Sequence, residues 1–300
     1  MTSGTARVST AELAFEIHGC GPVDLVIEMG LCASMAEWRP MAEKLAERYT
    51  VLVYQRAGYG ESGPSSLERT PEHIASELRE LLEETGHAGR ITLLGHSQGG
   101  LYAWQFARKY PELVDRLVLL DPLSPEDYRF RLELTEEEFR RSGADKTAGL
   151  RLSEKLTRLH LGWLVRRTMA GAPPVCCYGF SGREKREILD LLSRRRTYET
   201  ALAEYAAAHE AENLTGLLDK ERFPAIPVVL VTHSSEIAQR EIRDYGGASE
   251  AQARKIEALW QRLMESYLVC AAHGTPVRAE HSSHYIHLTD EALVWELLGL

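Results

Sequence analysis

The segment Ile91–Gly100 constrains the fold of this chain more than any other. Ile91-Thr92-Leu93-Leu94 reads as a strand and runs without a spacer into Gly95-His96-Ser97-Gln98-Gly99-Gly100. A helical stretch from about Gly99 to Tyr110 follows at once, and Pro111 helps to stop it. A serine in this setting occupies a tight turn whose backbone is strained. Small neighbours at Gly95, Gly99 and Gly100 are needed because a β-carbon would clash. The hydroxyl then stands at the end of the sheet, beside a helix N-terminus that favours developing negative charge. The bare Gly-x-Ser-x-Gly spelling is common in glycine-rich turns. The strand before it and the helix after it give it weight.

The flanking sequence repeats the strand–helix rhythm. Leu25-Val26-Ile27 precedes a loop and an amphipathic stretch ending near Arg48, and Thr50–Tyr54 is the next strand. Thr70-Pro71 opens a helix with a capping side chain before a proline. Ile74, Leu78, Leu81 and Leu82 form its apolar face. Leu117–Leu120 is again a strand. These strands are apolar on both faces, as in a parallel sheet covered on both sides. From about Pro122 to Phe223 the strands vanish. Helical patterns span Glu126–Arg141, Ala148–Met169, Arg183–Arg195 and Thr197–Ala211. Pro227–Val231 restores a strand, and Ser249–Tyr267 is a helix with Ser249 and Gln252 spaced as a capping box. Val277 and Arg278 begin a last short strand leading to His281, His284 and His287. The expected fold is α/β: a mostly parallel central sheet with helices on both faces and a helical cap insertion after strand 6. Residues 1–122 and 224–300 would form the core, and 123–223 the cap, placed where ligand sites of such sheets lie.

Composition narrows the function classes. With 300 residues, 44% hydrophobic and 26% charged, the chain suits one large globular domain carrying an insertion, or two ordinary domains. A net charge of −9 disfavours nucleic acid as a partner. No apolar run approaches a membrane span, and Met1–Val8 lacks the apolar stretch of a secretion signal. The five cysteines, with Cys176 and Cys177 adjacent, show no metal-binding spacing and read as reduced thiols of a cytoplasmic protein. Cys32 is the one to watch, because it lies in a loop of interest. No metal and no cofactor is expected. The expected partner is a small-molecule substrate, and nothing in the sequence specifies an oligomeric state.

The run from about Val23 to Pro125 resembles the α/β-hydrolase family, and Pro276–Val294 resembles its C-terminal part. Glu28-Met29-Gly30-Leu31-Cys32 is similar to the family's oxyanion loop, with Met29-Gly30 in place of the frequent His-Gly, and Trp38 closes the loop pattern. Gln55–Ser62 resembles the family's Asp-Arg-x-Gly-x-Gly-x-Ser loop. Gln55 stands where aspartate is common, a departure that bears on a loop-bracing contact and on no catalytic role.

The resemblance implies a serine hydrolase with Ser97 as nucleophile and the backbone N–H groups of Leu31 and Gln98 as oxyanion donors. It implies a base in a loop after the last strand. Ser283-His284-Tyr285-Ile286 fits and His284 is preferred, with His281 and His287 as competitors. His96 is read as a packed core histidine. The acid is Asp121, at the end of the sixth strand, or Glu236, after the seventh. Asp121 is preferred and Asp244 is a distant third. The implied reaction is acyl transfer to water from an ester, thioester, lactone or amide. A serine nucleophile argues against epoxide hydrolase and dehalogenase chemistry, whose enzymes in this family use aspartate there. A ligand-binding receptor with little turnover and an aminopeptidase of the proline-iminopeptidase kind are the alternatives. Trp163, Met169, Tyr178 and Phe180 are candidates either for lining a pocket or for packing between cap helices. Arg194, Arg195 and Arg196 read as a solvated helix face.

Overall fold

The computed structural model describes residues 1–176 and 178–300. Cys177, read from the sequence as a reduced thiol, lies outside the described residues. Cys20, Cys32, Cys176 and Cys270 are free.

Eight strands form one sheet: β1 (Thr2–Arg7), β2 (Glu12–His18), β3 (Val23–Glu28), β4 (Val51–Tyr54), β5 (His87–His96), β6 (Val114–Leu120), β7 (Pro227–His233) and β8 (His273–Ala279). Their order is β1-β2-β4-β3-β5-β6-β7-β8. β1 and β2 are antiparallel to their neighbours, and the pairs from β4 through β8 are parallel. The first two strands escape a reading based on apolar runs, because nearly every side chain of β1 faces solvent. β8 likewise begins earlier than Val277, its first half being exposed.

Period-2 alternation splits the strand residues between two apolar layers. Val26, Leu52, Leu93, Leu117, Leu119 and Leu230 pack on one face. There they meet α2 (Pro71–Thr85), α3 (Gln98–Lys109) and the helix Glu250–Cys270. Leu25, Ile27, Val53, Leu94, Val118 and Val231 pack on the other. There they meet α1 (Met35–Leu45) and the C-terminal helix Glu291–Leu297. Caps anticipated from the sequence are present. The Thr70 side chain accepts from His73 N, and Ser249 and Gln252 form a reciprocal capping box.

Between β6 and β7 the chain is helical. The stretch expected over Ala148–Met169 is two helices, Thr147–Arg158 and Gly162–Met169, separated at His160, which takes φ 61°. The helices Gly182–Leu192 and Arg195–Ala207 bring Ile188, Leu191, Leu192 and Ala201 into a third apolar cluster with Tyr59, Val175, Phe180 and Leu288. Met169 and Tyr178 pack against that cluster, whereas Trp163 is 58% exposed.

The insertion is tied to the sheet by charge as well as by apolar contact. Glu204, fully buried on Arg195–Ala207, receives Arg56 Nε at 3.0 Å, Arg56 Nη2 at 2.9 Å and the Tyr59 hydroxyl at 3.0 Å. Arg56 also pairs with Glu28 at 2.8 Å, and it donates to the carbonyls of Met29 and Gly30. Burial alone would weaken the guanidinium, but Glu204 and Glu28 outweigh it and hold Arg56 firmly charged. The arginine run is not simply a solvated face. Arg194 and Arg196 both donate to the Gly60 carbonyl, and Arg194 also meets Glu61 at 2.8 Å.

Removing one member of a buried ion network strands its partner's charge. Glu204→Ala should therefore destabilise the fold by about 3–5 kcal/mol. Glu83→Ala, which breaks the exposed Arg79–Glu83 pair, should cost less than about 1 kcal/mol. Urea denaturation of the two variants tests the contrast.

Candidate functional site

The parallel strands β3, β5, β6, β7 and β8 end on one side of the sheet, and the residues that follow them converge there. Ser97, directly after β5, has φ 55° and ψ −128°, a conformation that L side chains rarely adopt. The surroundings enforce it. Ser97 N donates to Leu120 O at 3.1 Å, while Ser97 O accepts from Gly100 N at 2.9 Å and Leu123 N at 2.8 Å. A β-carbon on Gly99 would collide with the carbonyl oxygens of Glu28 and Met29, and one on Gly100 would come 3.0 Å from Pro122 Cα. α3 starts at Gln98, so the Gln98 N–H, as the first of the helix, has no acceptor within it.

The loop after β3 lies over this turn. A β-carbon on Gly30 would be 3.2 Å from Ser97 Cβ. Leu31 follows and is half-buried. Gln55 braces the same loop: its Nε2 donates to Ala33 O at 2.7 Å and its Oε1 accepts from Met35 N at 3.3 Å. The amide thus makes a bracing contact where the family's aspartate is common. Cys32, at φ 58°, is pushed up to about 12 by burial, helped by Glu204, and stays a neutral thiol.

His284 stands between two sequence candidates. Its Nε2 is 3.0 Å from Ser97 Oγ, and its Nδ1 is 2.7 Å from Asp121 Oδ2. A carboxylate only accepts, so Nδ1 carries the proton and the Nε2 lone pair faces the serine hydroxyl. Asp121 directly follows β6, with φ 47°, and its N–H donates to Val231 O at 2.8 Å. Burial would raise its pKa, but His233 and His284 outweigh burial and hold it well below the usual carboxylate range. Glu236 is exposed, in the first turn of the helix Ser235–Asp244, and Asp244 is exposed at its end. His281 is exposed as well.

Two histidines take supporting places. His96 Nε2 donates to the His284 carbonyl at 2.9 Å. Burial, then His287 and His284, keeps it neutral. His287 stacks on Trp38 at 3.8 Å, and its Nε2 lies 3.0 Å from Glu37 Oε1. Burial pushes Glu37 up to about 8. Neither role has a sequence signature, because both depend on which residues the crossing loops bring together. A third, His233, contacts Asp121 from the end of β7.

The model of the alpha/beta hydrolase fold family matches residues 25–295, and the chain belongs to that family. An uncharacterized protein of Mycobacterium tuberculosis is 38% identical over 107 residues, 36% of this chain and 31% of that protein. Epoxide hydrolase 1 of Caenorhabditis elegans is 31% identical over 107 residues, 35% of this chain and 26% of that protein. The chain thus spans about a third or less of the length of these curated relatives. Among solved structures, ALR0039 of Nostoc sp PCC 7120 has a TM-score of 0.76 at 18% identity, covering 99% of this chain and 96% of that one. The enol-lactonase of Burkholderia xenovorans LB400 has a TM-score of 0.61 at 16% identity, covering 98% of each. At these identities the structural likeness is one of fold. Among the described residues, no helix is long and apolar enough to cross a membrane.

Glu37 gives the site's support a measurable pH dependence. Its folded-state pKa lies above its ordinary value of 4.5, so the folded protein holds the proton more tightly than the unfolded chain. Its contribution is present at low pH and is lost as pH rises towards about 8. Glu37→Gln should flatten the fall in urea midpoint between about pH 5 and pH 8. An identical slope in the variant would show that Glu37 is ionised throughout.

Proposed function

We propose that this hydrolase cleaves an ester, thioester, lactone or amide of a small, partly apolar molecule through Ser97, His284 and Asp121. The observation that carries the reading is His284, with one ring nitrogen at the Ser97 hydroxyl and the other at the Asp121 carboxylate. In this reading Ser97 Oγ attacks the substrate carbonyl while His284 Nε2 takes its proton. Asp121 keeps the imidazole in the required tautomer and stabilises its cation. The backbone N–H groups of Leu31 and Gln98 receive the oxyanion, the latter favoured by the N-terminus of α3. His284 then protonates the leaving group, and a water activated by the same imidazole hydrolyses the acyl-enzyme.

The hydroxyl nucleophile limits the reaction class. A serine that opened an epoxide would be left as an ether, with no carbonyl for water to attack, so turnover would stop after one cycle. Acyl transfer has no such trap. The apolar preference rests on Leu31 and Cys32, which pack against the cluster containing Tyr59, Val175, Phe180 and Leu288. The segment 123–223 is proposed as a lid over that surface.

A fluorophosphonate probe should label the protein at Ser97, and Ser97→Ala should abolish labelling. On a p-nitrophenyl ester panel, Ser97→Ala and His284→Ala should lower kcat by at least about 10⁴-fold, and Asp121→Asn by about 10³–10⁴-fold. Equal labelling of wild type and Ser97→Ala would overturn the reading.

A further inference from the structure

His233, the last residue of β7, sits against the same carboxylate that faces His284. Its Nδ1 is 2.8 Å from Asp121 Oδ1, and its backbone N–H donates to that oxygen at 3.1 Å. Its Nε2 is 3.1 Å from Glu257 Oε2, on the helix Glu250–Cys270. Asp121, His233 and Glu257 are all buried. Two further neighbours, Trp260 and Gln261, are uncharged. Trp260 lies over the ring at 4.0 Å. Gln261 donates to Glu257 Oε1 at 2.7 Å and to the Ser235 hydroxyl at 3.1 Å, which in turn receives Arg278 of β8 at 2.8 Å. The two contacts place a carboxyl oxygen at each ring nitrogen, the arrangement that an imidazolium donating from both satisfies in full.

The charge matters because of where it lies. A buried carboxylate hydrogen-bonded to an imidazole favours the protonated form of that ring. A cation on the opposite oxygen of the same carboxylate offsets part of that attraction.

We propose that His233 is a positioning residue: a buried imidazolium that fixes Asp121 with Oδ2 towards His284 and, through Asp121, lowers the proton affinity of the base. Burial opposes the His233 charge, but Asp121 and then Glu257 outweigh it and push its pKa up to about 10, so the ring stays charged across the neutral range. This inference rests on the Ser97–His284–Asp121 reading of the site.

The test is the titration of His284, followed by NMR in histidine-labelled full-length protein. In His233→Asn/Glu257→Gln, an amide donor to Oδ1 is retained and both charges are removed. The His284 midpoint should rise by about one pH unit, and the acid limb of kcat/KM should move with it. An unmoved midpoint in the folded variant would overturn the proposal. If the variant does not fold, the wild-type spectrum decides. Both His233 ring nitrogens protonated at about pH 8 support the proposal, and a neutral ring overturns it. The midpoint is read without turnover. A shifted midpoint in a protein lacking Ser97-dependent hydrolysis would therefore keep this inference and sink the hydrolase reading. Serine-dependent hydrolysis with an unmoved midpoint would do the reverse.

Discussion

The guanidinium of Arg56 is the interaction on which the arrangement of this molecule depends. It reaches the carbonyls of Met29 and Gly30, the carboxylate of Glu28 at the end of β3, and Glu204 from the helical insertion. One side chain thereby links the loop over Ser97 to a helix whose sequence position is 148 residues away. A buried cation needs its partners, and each partner is a carbonyl or carboxylate that would be costly to leave alone. The loop geometry and the seating of the insertion are therefore one energetic unit. Tyr59 and Arg69 extend it, the first by a hydroxyl on Glu204 and the second by a bridge to Glu77 at 2.7 Å.

Legibility followed burial. β3, β4, β6 and β7 are apolar on both faces because each feeds two cores, so they stand out as continuous runs in the sequence. β1 is exposed along nearly its whole length, and β2 buries Glu16 and His18 beside its apolar residues, so neither strand is a continuous apolar run. The helical insertion was legible as helix but not in its breaks. Its amphipathic period runs straight through Leu159–Leu161, where a left-handed His160 separates two helices. The reversal there is held by His160 N on Thr157 O, a backbone bond with no side-chain signature.

The candidate site was legible in the same measure. Ser97 follows from glycines whose missing β-carbons make room for the Glu28 and Met29 carbonyls and for Pro122. In sequence Asp121 and Glu236 look alike, since both follow strands at the same edge. The difference is spatial. Asp121 directly follows the strand paired with β5, whereas Glu236 is three residues past β7 on an exposed helical turn. His233 and Glu37 have no sequence mark, and His96 reads only as a packed core histidine. Each is an ordinary residue at the end of an ordinary element, and it acquires a role only from a loop or strand folded in from far along the chain.

The bond from His96 to the His284 carbonyl has a mechanical consequence. His96 and Ser97 are covalent neighbours on a strand end that cannot turn freely. The loop carrying His284 spans residues 280–285 and follows the edge strand β8. Pinning its carbonyl to the residue beside Ser97 makes the two travel as one body. The 3.0 Å gap between the imidazole and the hydroxyl is therefore held from both sides, by the chain around Ser97 and by the bond from its neighbour His96. The position of the imidazole is thereby referred to the interior strand that carries the hydroxyl, and not only to the edge strand that leads into its own loop.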